Sequence, residues 1–229
     1  IDKATFPSDV VRSTHFVHQP GVARLKRWGL LTKVENSGCP AIVRWMLNLG
    51  PARLTGAPPP VEGVAQSYAP RRVVLDQILL EAAIAGGAEF REGCTLQDVL
   101  WENGRAVGIK ASLNGGCSFI ARGSLIVGAD GTQSKLAKIV CAREYHVRPP
   151  LLCTYWTYWS GVQVSGVELY VQDRRIIWAY PTNADLTISG VCWPAAEAQS
   201  VRADIEGNCF KVLEIAPGLR ERLYAGKRE

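Results

Sequence analysis

Long hydrophobic runs are missing from this sequence. Its 229 residues are 47% hydrophobic and 21% charged, an ordinary balance for a globular protein, but Arg, Asp or Gly interrupts the apolar stretches. A membrane-spanning helix needs about 20 consecutive, mostly apolar residues, and no such run is present. The chain also shows no charged-then-apolar secretory signal. We therefore expect a cytoplasmic protein with no membrane span.

Closely spaced metal ligands are missing as well. No two cysteines form a Cys-x-x-Cys pair, and His15, His18 and His146 have no metal-ligand spacing. Because the number of cysteines is odd and no secretory signal is seen, we expect buried, reduced thiols and no metal site. The seven cysteines are Cys39, Cys94, Cys117, Cys141, Cys153, Cys192 and Cys209.

Clustered charge of one sign is also lacking. The net charge of +5 comes from 26 basic and 21 acidic residues that are scattered along the chain, so nucleic-acid binding is not expected. The sequence contains neither a Gly-x-Ser-x-Gly elbow nor a complete Gly-x-Gly-x-x-Gly loop. A serine hydrolase is therefore not supported.

The most informative segment that is present runs from Ser124 to Ala137. The apolar residues Leu125–Val127 end in Gly128-Ala129-Asp130-Gly131, and a helix-compatible stretch follows. This pattern predicts a buried strand with Asp130 at its carboxyl end, where open α/β sheets bind their ligands. The alternative, at equal weight, is a simple corner with a solvated aspartate, because Asp-Gly is a common turn pair.

Patterning in the first 150 residues predicts helices, short strands and a β-meander. The predicted helices cover 22–31 and 72–85, and Gly86-Gly87 ends the second one. The meander has strands at 96–101, 107–113 and 118–121, with turns at 102–104 and 114–116. Further short strands are predicted at 64–68 and 88–91.

Composition changes after Pro149-Pro150. Strands near 152–160, 166–172, 175–180 and 186–192 predict an antiparallel sheet, and helical periodicity returns over 195–226, broken by Pro217-Gly218. The fold class is therefore α/β (α+β). We predict two domains, 1–150 with the meander and 151–229 with the antiparallel sheet and C-terminal helices.

Three features allow a functional and an ordinary interpretation. Arg72 begins a helix, where its charge opposes the helix dipole, so it is either a solvated surface residue or faces an anion such as a pyrophosphate. Asp2 is either a surface charge or a ribose-binding carboxylate. Trp156 and Tyr158 share one face of a strand, as sheet core or as the wall of a pocket for an aromatic substrate. Alone, each favours the ordinary interpretation.

Together these pieces resemble the FAD-dependent oxidoreductases of the para-hydroxybenzoate hydroxylase type, the class A flavoprotein monooxygenases. Residues 1–9 are similar to the end of the family's second Rossmann strand, residues 72–76 to its Arg-x-x-Leu helix, and Gly128–Gly131 with Ser134 to its Asp-Gly motif. The resemblance implies a Rossmann-like FAD-binding half and a substrate domain. The FAD contacts that it implies are Asp2 at the ribose with Lys3 next to it, Arg72 at the phosphates, Leu96 at the adenine, and Asp130 and Gly131 at the cofactor edge.

The resemblance also implies a substrate site. Ser13-Thr14-His15 falls where the family's chain passes the flavin ring and the substrate, and Pro181 lies in a segment matching a loop that faces the ring. The implied substrate contacts are His15, Trp156, Tyr158 and Pro181. The sequence departs from the family at Lys138, where an arginine is usual. It also lacks the glycine-rich loop and the later Gly-Asp motif, so we expect an internal fragment that is truncated at both ends.

The implied activity is that of an FAD-dependent monooxygenase. It would use NADH or NADPH and hydroxylate an aromatic or polyketide-like small molecule, without a named catalytic acid or base, because the cofactor carries the chemistry. The alternatives are a geranylgeranyl-reductase-like enzyme, a halogenase-like enzyme, although the Trp-x-Trp-x-Ile-Pro signature is absent, and a non-catalytic module that has lost FAD. The oligomeric state stays open.

Overall fold

The computed structural model of the protein describes residues 1–10, 13–114 and 116–229. These residues form two compact units, each built from segments that are distant in sequence. The first unit contains Ile1–Ser8 and Leu80–Arg148, and the second contains Asp9–Leu79 and Pro149–Glu229. Within the described ranges, no helix has both the length and the apolar character that crossing a membrane requires.

Seven α-helices and ten strands are formed by the described residues. The helices are α1 (Gln19–Arg27), α2 (Leu31–Asn36), α3 (Arg72–Ala85), α4 (Lys135–Ile139), α5 (Ala198–Ala203), α6 (Ile205–Val212) and α7 (Pro217–Ala225). The strands are β1 (Trp45–Asn48), β2 (Arg53–Gly56), β3 (Cys94–Glu102), β4 (Arg105–Leu113), β5 (Ser118–Arg122), β6 (Leu152–Ser160), β7 (Val167–Gln172), β8 (Arg175–Pro181), β9 (Thr187–Pro194) and β10 (Lys227–Arg228).

The first unit contains the predicted meander, β3-β4-β5, in which both pairings are antiparallel. Asn103 and Gly104 join β3 to β4 with φ values of 50° and 76°, the left-handed conformation that a two-residue hairpin turn requires. The three strands and this turn are confirmed. Gly115 of the second predicted turn lies outside the described residues.

Three short strands predicted from the sequence do not form. Leu125–Val127 has no strand pairing, and Leu125 and Val127 are 79% and 75% exposed. An apolar run becomes a strand only where a neighbouring strand takes its backbone N–H and C=O groups, and the described residues supply none here. Residues 88–91 are likewise irregular. Residues 64–68 form isolated bridges instead of a strand, of Val64 to Val61, Ser67 to Ile42 and Tyr68 to Val17.

The second unit is built on a seven-stranded sheet with the order β10-β6-β9-β8-β7-β1-β2. The four strands predicted beyond residue 150 are confirmed as β6 to β9, and they pair antiparallel. The sequence did not predict β1 and β2. These strands extend the sheet through a parallel pairing of β1 with β7, so the sheet is mixed rather than purely antiparallel.

Each face of this sheet carries its own core. Helices α5 to α7 cover one face, where Ile177, Trp193 and Leu219 are buried. Trp178, Tyr180 and Ile188 are buried on the opposite face, and Trp156 and Tyr158 pack against them. Tyr155 and Trp159 belong to the helix-covered face, so the predicted alternation of aromatic residues along β6 is confirmed.

The C-terminal helices are fastened to the sheet by an ion pair as well as by apolar packing. Pro217 begins α7 rather than breaking a helix, because a proline at the first helical turn loses no hydrogen bond. Arg222 on α7 makes a bidentate pair with Glu168 on β7, at 2.8 and 2.6 Å. The Tyr170 hydroxyl donates to the same carboxylate, so the carboxylate is well satisfied although it is largely buried.

The cysteines are free, as predicted, but they are not all buried. Cys39, Cys94 and Cys192 are buried, whereas Cys117 and Cys141 are exposed. The two remaining cysteines, Cys153 and Cys209, are half-buried.

Candidate functional site

In the first unit, the segment with Asp2 runs beside the start of β3. The Asp2 N–H donates to the Arg91 carbonyl at 3.0 Å, and the Asp2 carbonyl accepts from the Cys94 N–H at 2.7 Å. The carboxylate is exposed, and its Oδ1 accepts from the Ala4 N–H at 2.9 Å. Lys3 is also exposed. A carboxylate held by its backbone but open to solvent is able to accept further hydrogen bonds.

Leu96 lies two residues into β3, paired with Ala111 of β4. The register of the two strands shifts directly after Leu96, which is where a bulge re-aims the chain. Helix α4 contacts the same strand. The first unit therefore groups the Asp2 segment, Leu96 and the helix that follows Asp130 around β3.

Asp130 organises the beginning of α4. Its Oδ1 accepts from the Ser134 hydroxyl at 2.5 Å, and its Oδ2 accepts from the N–H groups of Lys135 and Leu136 at 2.7 and 3.1 Å. Ser134 in turn caps Ala137 at 3.0 Å. The Ser134 hydroxyl, followed by the Leu136 N–H, lowers the pKa of the exposed Asp130 carboxyl. The turn therefore has the geometry of the ordinary corner, not of a strand end.

Gly131, next to Asp130, has a φ of 79°. This left-handed conformation favours glycine, and a Cβ at this position would meet no heavy atom within 4 Å. The backbone at Gly131 is therefore open for a close approach.

Arg72 in the second unit is the first residue of α3. Its Nε and Nη2 donate to the two Asp76 oxygens at 2.7 and 2.6 Å, and this pairing raises the pKa of Arg72. A cation at a helix N-terminus opposes the dipole, and the carboxylate one turn later compensates for it. Arg72 thus faces an anion, but the anion is Asp76.

His15 and Tyr158, both predicted substrate contacts, are in direct contact. His15 Nε2 lies 2.8 Å from the Tyr158 hydroxyl oxygen, and the two rings stack with their centroids 5.8 Å apart. Burial lowers the pKa of His15 to about 4 and raises the pKa of Tyr158. At neutral pH both side chains are therefore uncharged. His15 has a φ of 45°, and backbone strain of this kind concentrates at functional sites.

The other predicted substrate contacts, Trp156 and Pro181, lie on the same sheet as Tyr158. The Trp156 ring meets the Tyr158 ring edge-on, with centroids 5.7 Å apart. Pro181 ends β8 directly after Tyr180, whose hydroxyl donates to the Thr14 carbonyl at 2.8 Å. Tyr180 thus fastens the chain next to His15 to the sheet.

The sequence prediction missed Arg71 as a member of this group. Its guanidinium pairs with the Asp9 carboxylate and lies 5.1 Å from the centre of the Tyr158 ring. The Arg71 N–H donates to Asn183 Oδ1 at 2.9 Å, and the buried Arg71 Nε finds no hydrogen-bond partner among the described residues. The signal was the Arg71-Arg72 pair, but sequence alone does not show which arginine faces the aromatic residues.

The structure therefore brings together His15, Tyr158 and Trp156, and it adds Arg71 and Asp9 to this group. Pro181 lies on β8 of the same sheet. Asp2, Lys3, Leu96, Asp130 and Gly131 belong to the first unit, and Arg72 belongs to the second. Over the described ranges, no three His, Cys, Asp or Glu side chains are grouped as a metal site would need.

Sequence comparisons do not identify a relative: no protein-family model matches the chain, and no curated protein matches it. Solved structures do match. A flavoprotein/dehydrogenase from Cytophaga hutchinsonii has a TM-score of 0.84 and 15% identity, over 99% of this chain and 57% of that one. The myxobacterial chondrochloren halogenase CndH, an FAD-dependent halogenase, has a TM-score of 0.81 and 19% identity, over 99% and 54%.

PqsL from Pseudomonas aeruginosa, a probable FAD-dependent monooxygenase, has a TM-score of 0.71 and 18% identity, over 92% of this chain and 58% of that one. The present chain thus spans somewhat more than half the length of these three structures. Their common fold confirms the α/β (α+β) fold class. The chain has the fold of FAD-dependent flavoproteins.

Proposed function

We propose that this chain is part of an FAD-dependent oxidoreductase that uses NADH or NADPH to hydroxylate an aromatic or polyketide-like small molecule. The observation that carries the proposal is the hydrogen-bonded His15–Tyr158 pair, set among aromatic residues in a chain with the fold of FAD-dependent flavoproteins. Backbone strain at a buried histidine is typical of functional sites, which favours an enzyme over a non-catalytic module.

Each unit, taken by itself, has residues that would suit a part of FAD. In the first unit, Asp2 has an exposed carboxylate whose Oδ1 accepts from the nearby Ala4 N–H, and its remaining acceptor capacity would suit ribose hydroxyls. In the second unit, Arg72 contacts Asp76 through Nε and Nη2, and its Nη1 would bind a phosphate oxygen. Both Asp130 oxygens are engaged within the chain, so we assign the contact at that turn to the open backbone at Gly131. Lys3 and the Leu96 backbone would lie at the ribose and the adenine.

Bound FAD would supply the redox chemistry. The chain's own contribution is to position the substrate and to exclude water. Trp156, Tyr158 and Pro181 would form the aromatic and apolar wall, and the Tyr158 hydroxyl, held by His15, would fix a polar group of the substrate. Because His15 and Tyr158 are neutral and the Arg71 charge is compensated by Asp9, this wall suits a neutral aromatic ring.

Flavin occupancy of the full-length protein tests the cofactor assignment. Arg72→Ala is expected to lower the amount of FAD that co-purifies with the protein. Asp76→Ala breaks the same ion pair but keeps the guanidinium, so it is the matched control and should retain FAD. Equal losses in both variants would show that the ion pair stabilises α3 and that Arg72 does not bind phosphate.

Oxidation of NADH or NADPH, measured with and without neutral phenols, tests the reaction. A hydroxylase is expected to form a product that is heavier by one oxygen atom. A saturated product would instead identify the reductase alternative.

Halogenation is the second candidate, favoured by the fold that the chain shares with CndH. The Trp-x-Trp-x-Ile-Pro signature is absent from the sequence, which favours hydroxylation. Turnover in the presence of chloride or bromide, followed by mass spectrometry, separates the two reactions, because only halogenation adds the halogen isotope pattern.

A further inference from the structure

A cavity in the second unit lies on the helix-covered side of the sheet, opposite the face that carries Trp178 and Tyr180. Its volume is about 380 Å³, which falls within the range of small-molecule sites. The sheet forms the floor through β6 and β9, and α6 and α7 form the roof. The walls are mainly apolar and aromatic, with Tyr155, Trp159, Ile205, Phe210, Leu213 and Leu223 among the lining residues.

The helix above the cavity is incompletely packed. Helix α6 has no buried residue, and Ile205 at its beginning is 39% exposed. An eight-residue helix gains most of its stability from packing an apolar face against the protein. Protein interiors are close-packed and leave few voids larger than a water molecule. The apolar face of α6 therefore opens onto a space that the described residues do not fill.

The charge of the lining residues indicates which kind of ligand would fill the cavity. Among the described residues that line the cavity, Glu206 and Arg228 are charged. They pair with each other at 3.2 Å, and the side chains of both are more than half exposed. Burial raises the pKa of the Cys209 thiol to about 11, so this wall is uncharged at neutral pH. An ionised ligand would lose its hydration here without gaining a partner.

We propose that this cavity binds a neutral aromatic small molecule. The ligand would pack its ring against Tyr155, Trp159 and Phe210, beneath α6. The cavity shares Trp156 with the proposed substrate site. Its aromatic residues Tyr155 and Trp159 nevertheless belong to the helix-covered face, opposite Tyr158, because side chains at alternate positions of β6 point to opposite faces of the sheet. The proposal concerns binding alone and does not rest on the proposed enzymatic activity.

Calorimetric titration of the full-length protein with 2-naphthol tests the proposal, with 2-naphthoate as the charged counterpart. We expect saturable binding of 2-naphthol, and binding of 2-naphthoate that is at least about tenfold weaker, because the carboxylate must be desolvated. No binding of 2-naphthol, or equal affinity for the two probes, would overturn the proposal.

Filling the cavity locates the site. Cys209→Phe places a ring in the space and is expected to lower the number of 2-naphthol molecules bound per chain by one. Cys141→Phe makes the same change at an exposed position of the first unit and should leave that number unchanged. If the Cys209→Phe variant does not fold, Ile205→Phe, which fills the cavity from its rim, is used in its place. An unchanged number of bound molecules in a folded, filled variant would show that the probe binds elsewhere and would overturn the proposal.

Discussion

The two units of this protein differ in how completely they bury their apolar residues. The second unit has cores on both faces of its sheet. In the described part of the first unit, the buried hydrophobic residues are Cys94, Val99 and Ala111, whereas Leu125, Val127, Tyr145 and Val147 are more than 70% exposed. Apolar stretches of similar sequence are thus buried in the second unit and exposed in the first. An apolar run is buried only where the fold supplies a surface to cover it.

Truncation of an apolar side chain should give the largest difference in stability loss between the two units. Leu219→Ala truncates a side chain of α7 that has 0% exposure and is expected to lower the free energy of unfolding by about 2–5 kcal/mol. Leu125→Ala in the first unit should change it by about 0.5 kcal/mol or less. Urea denaturation of the two variants measures both. A large loss for Leu125→Ala would mean that Leu125 is buried in the protein after all.

Replacing a glycine by alanine should give a smaller difference in stability loss between the two units. A Cβ at Gly190 would lie 2.4 Å from the Trp178 ring and 2.7 Å from Trp156 Cβ, so Gly190→Ala should cost about 1–3 kcal/mol through overpacking. In the first unit, a Cβ at Gly128 would meet the mobile end of the Leu136 side chain at 2.8 Å. Gly128→Ala should therefore cost less. Thermal unfolding of both variants measures the difference, and the reverse order would contradict the packing described for β9.

The pH dependence of stability should also differ between the units. His15 has a pKa of about 4 in the folded protein and about 6.5 when unfolded. Between these values the unfolded state binds more protons, so stability should fall as the pH drops from about 6.5 to about 4. The pKa of Asp130 is lowered, so its contribution should be lost only below about pH 4.

His15→Asn tests this assignment, because asparagine tolerates the positive φ of the position. Urea titrations between pH 4 and pH 7 should show a weaker pH dependence in the variant than in the wild type. An unchanged pH dependence would show that another group titrates, whereas Asp130→Asn should alter stability only in the more acidic range.

Local structure was the part of the fold that the sequence predicted well. Helix α3 has the predicted bounds, since its apolar periodicity ends at Gly86-Gly87, and β6 to β9 follow from aromatic and β-branched runs between turns. Strands β1 and β2 were missed because each has four residues and depends on pairing with the distant β7. Non-local pairing of this kind leaves no periodicity in the sequence.

The sequence also predicted part of the candidate site. The resemblance singled out His15 and Tyr158, and the structure joins them at 2.8 Å. The resemblance did not single out Arg71 or Asp9, because their contacts arise only after the chain has folded. The position of Asp130 at a strand end was wrong, since the apolar run before it has no partner strand among the described residues. The FAD roles of Asp2, Arg72 and Gly131 stay predictions.

The amount of FAD bound to the full-length protein tests the central claim most directly. The protein would be purified without added flavin, and the flavin absorbance would be compared with the protein concentration. The account predicts a yellow protein with stoichiometric FAD. A well-folded, colourless protein that does not take up FAD when it is supplied would contradict the account and would show that the fold serves another purpose here.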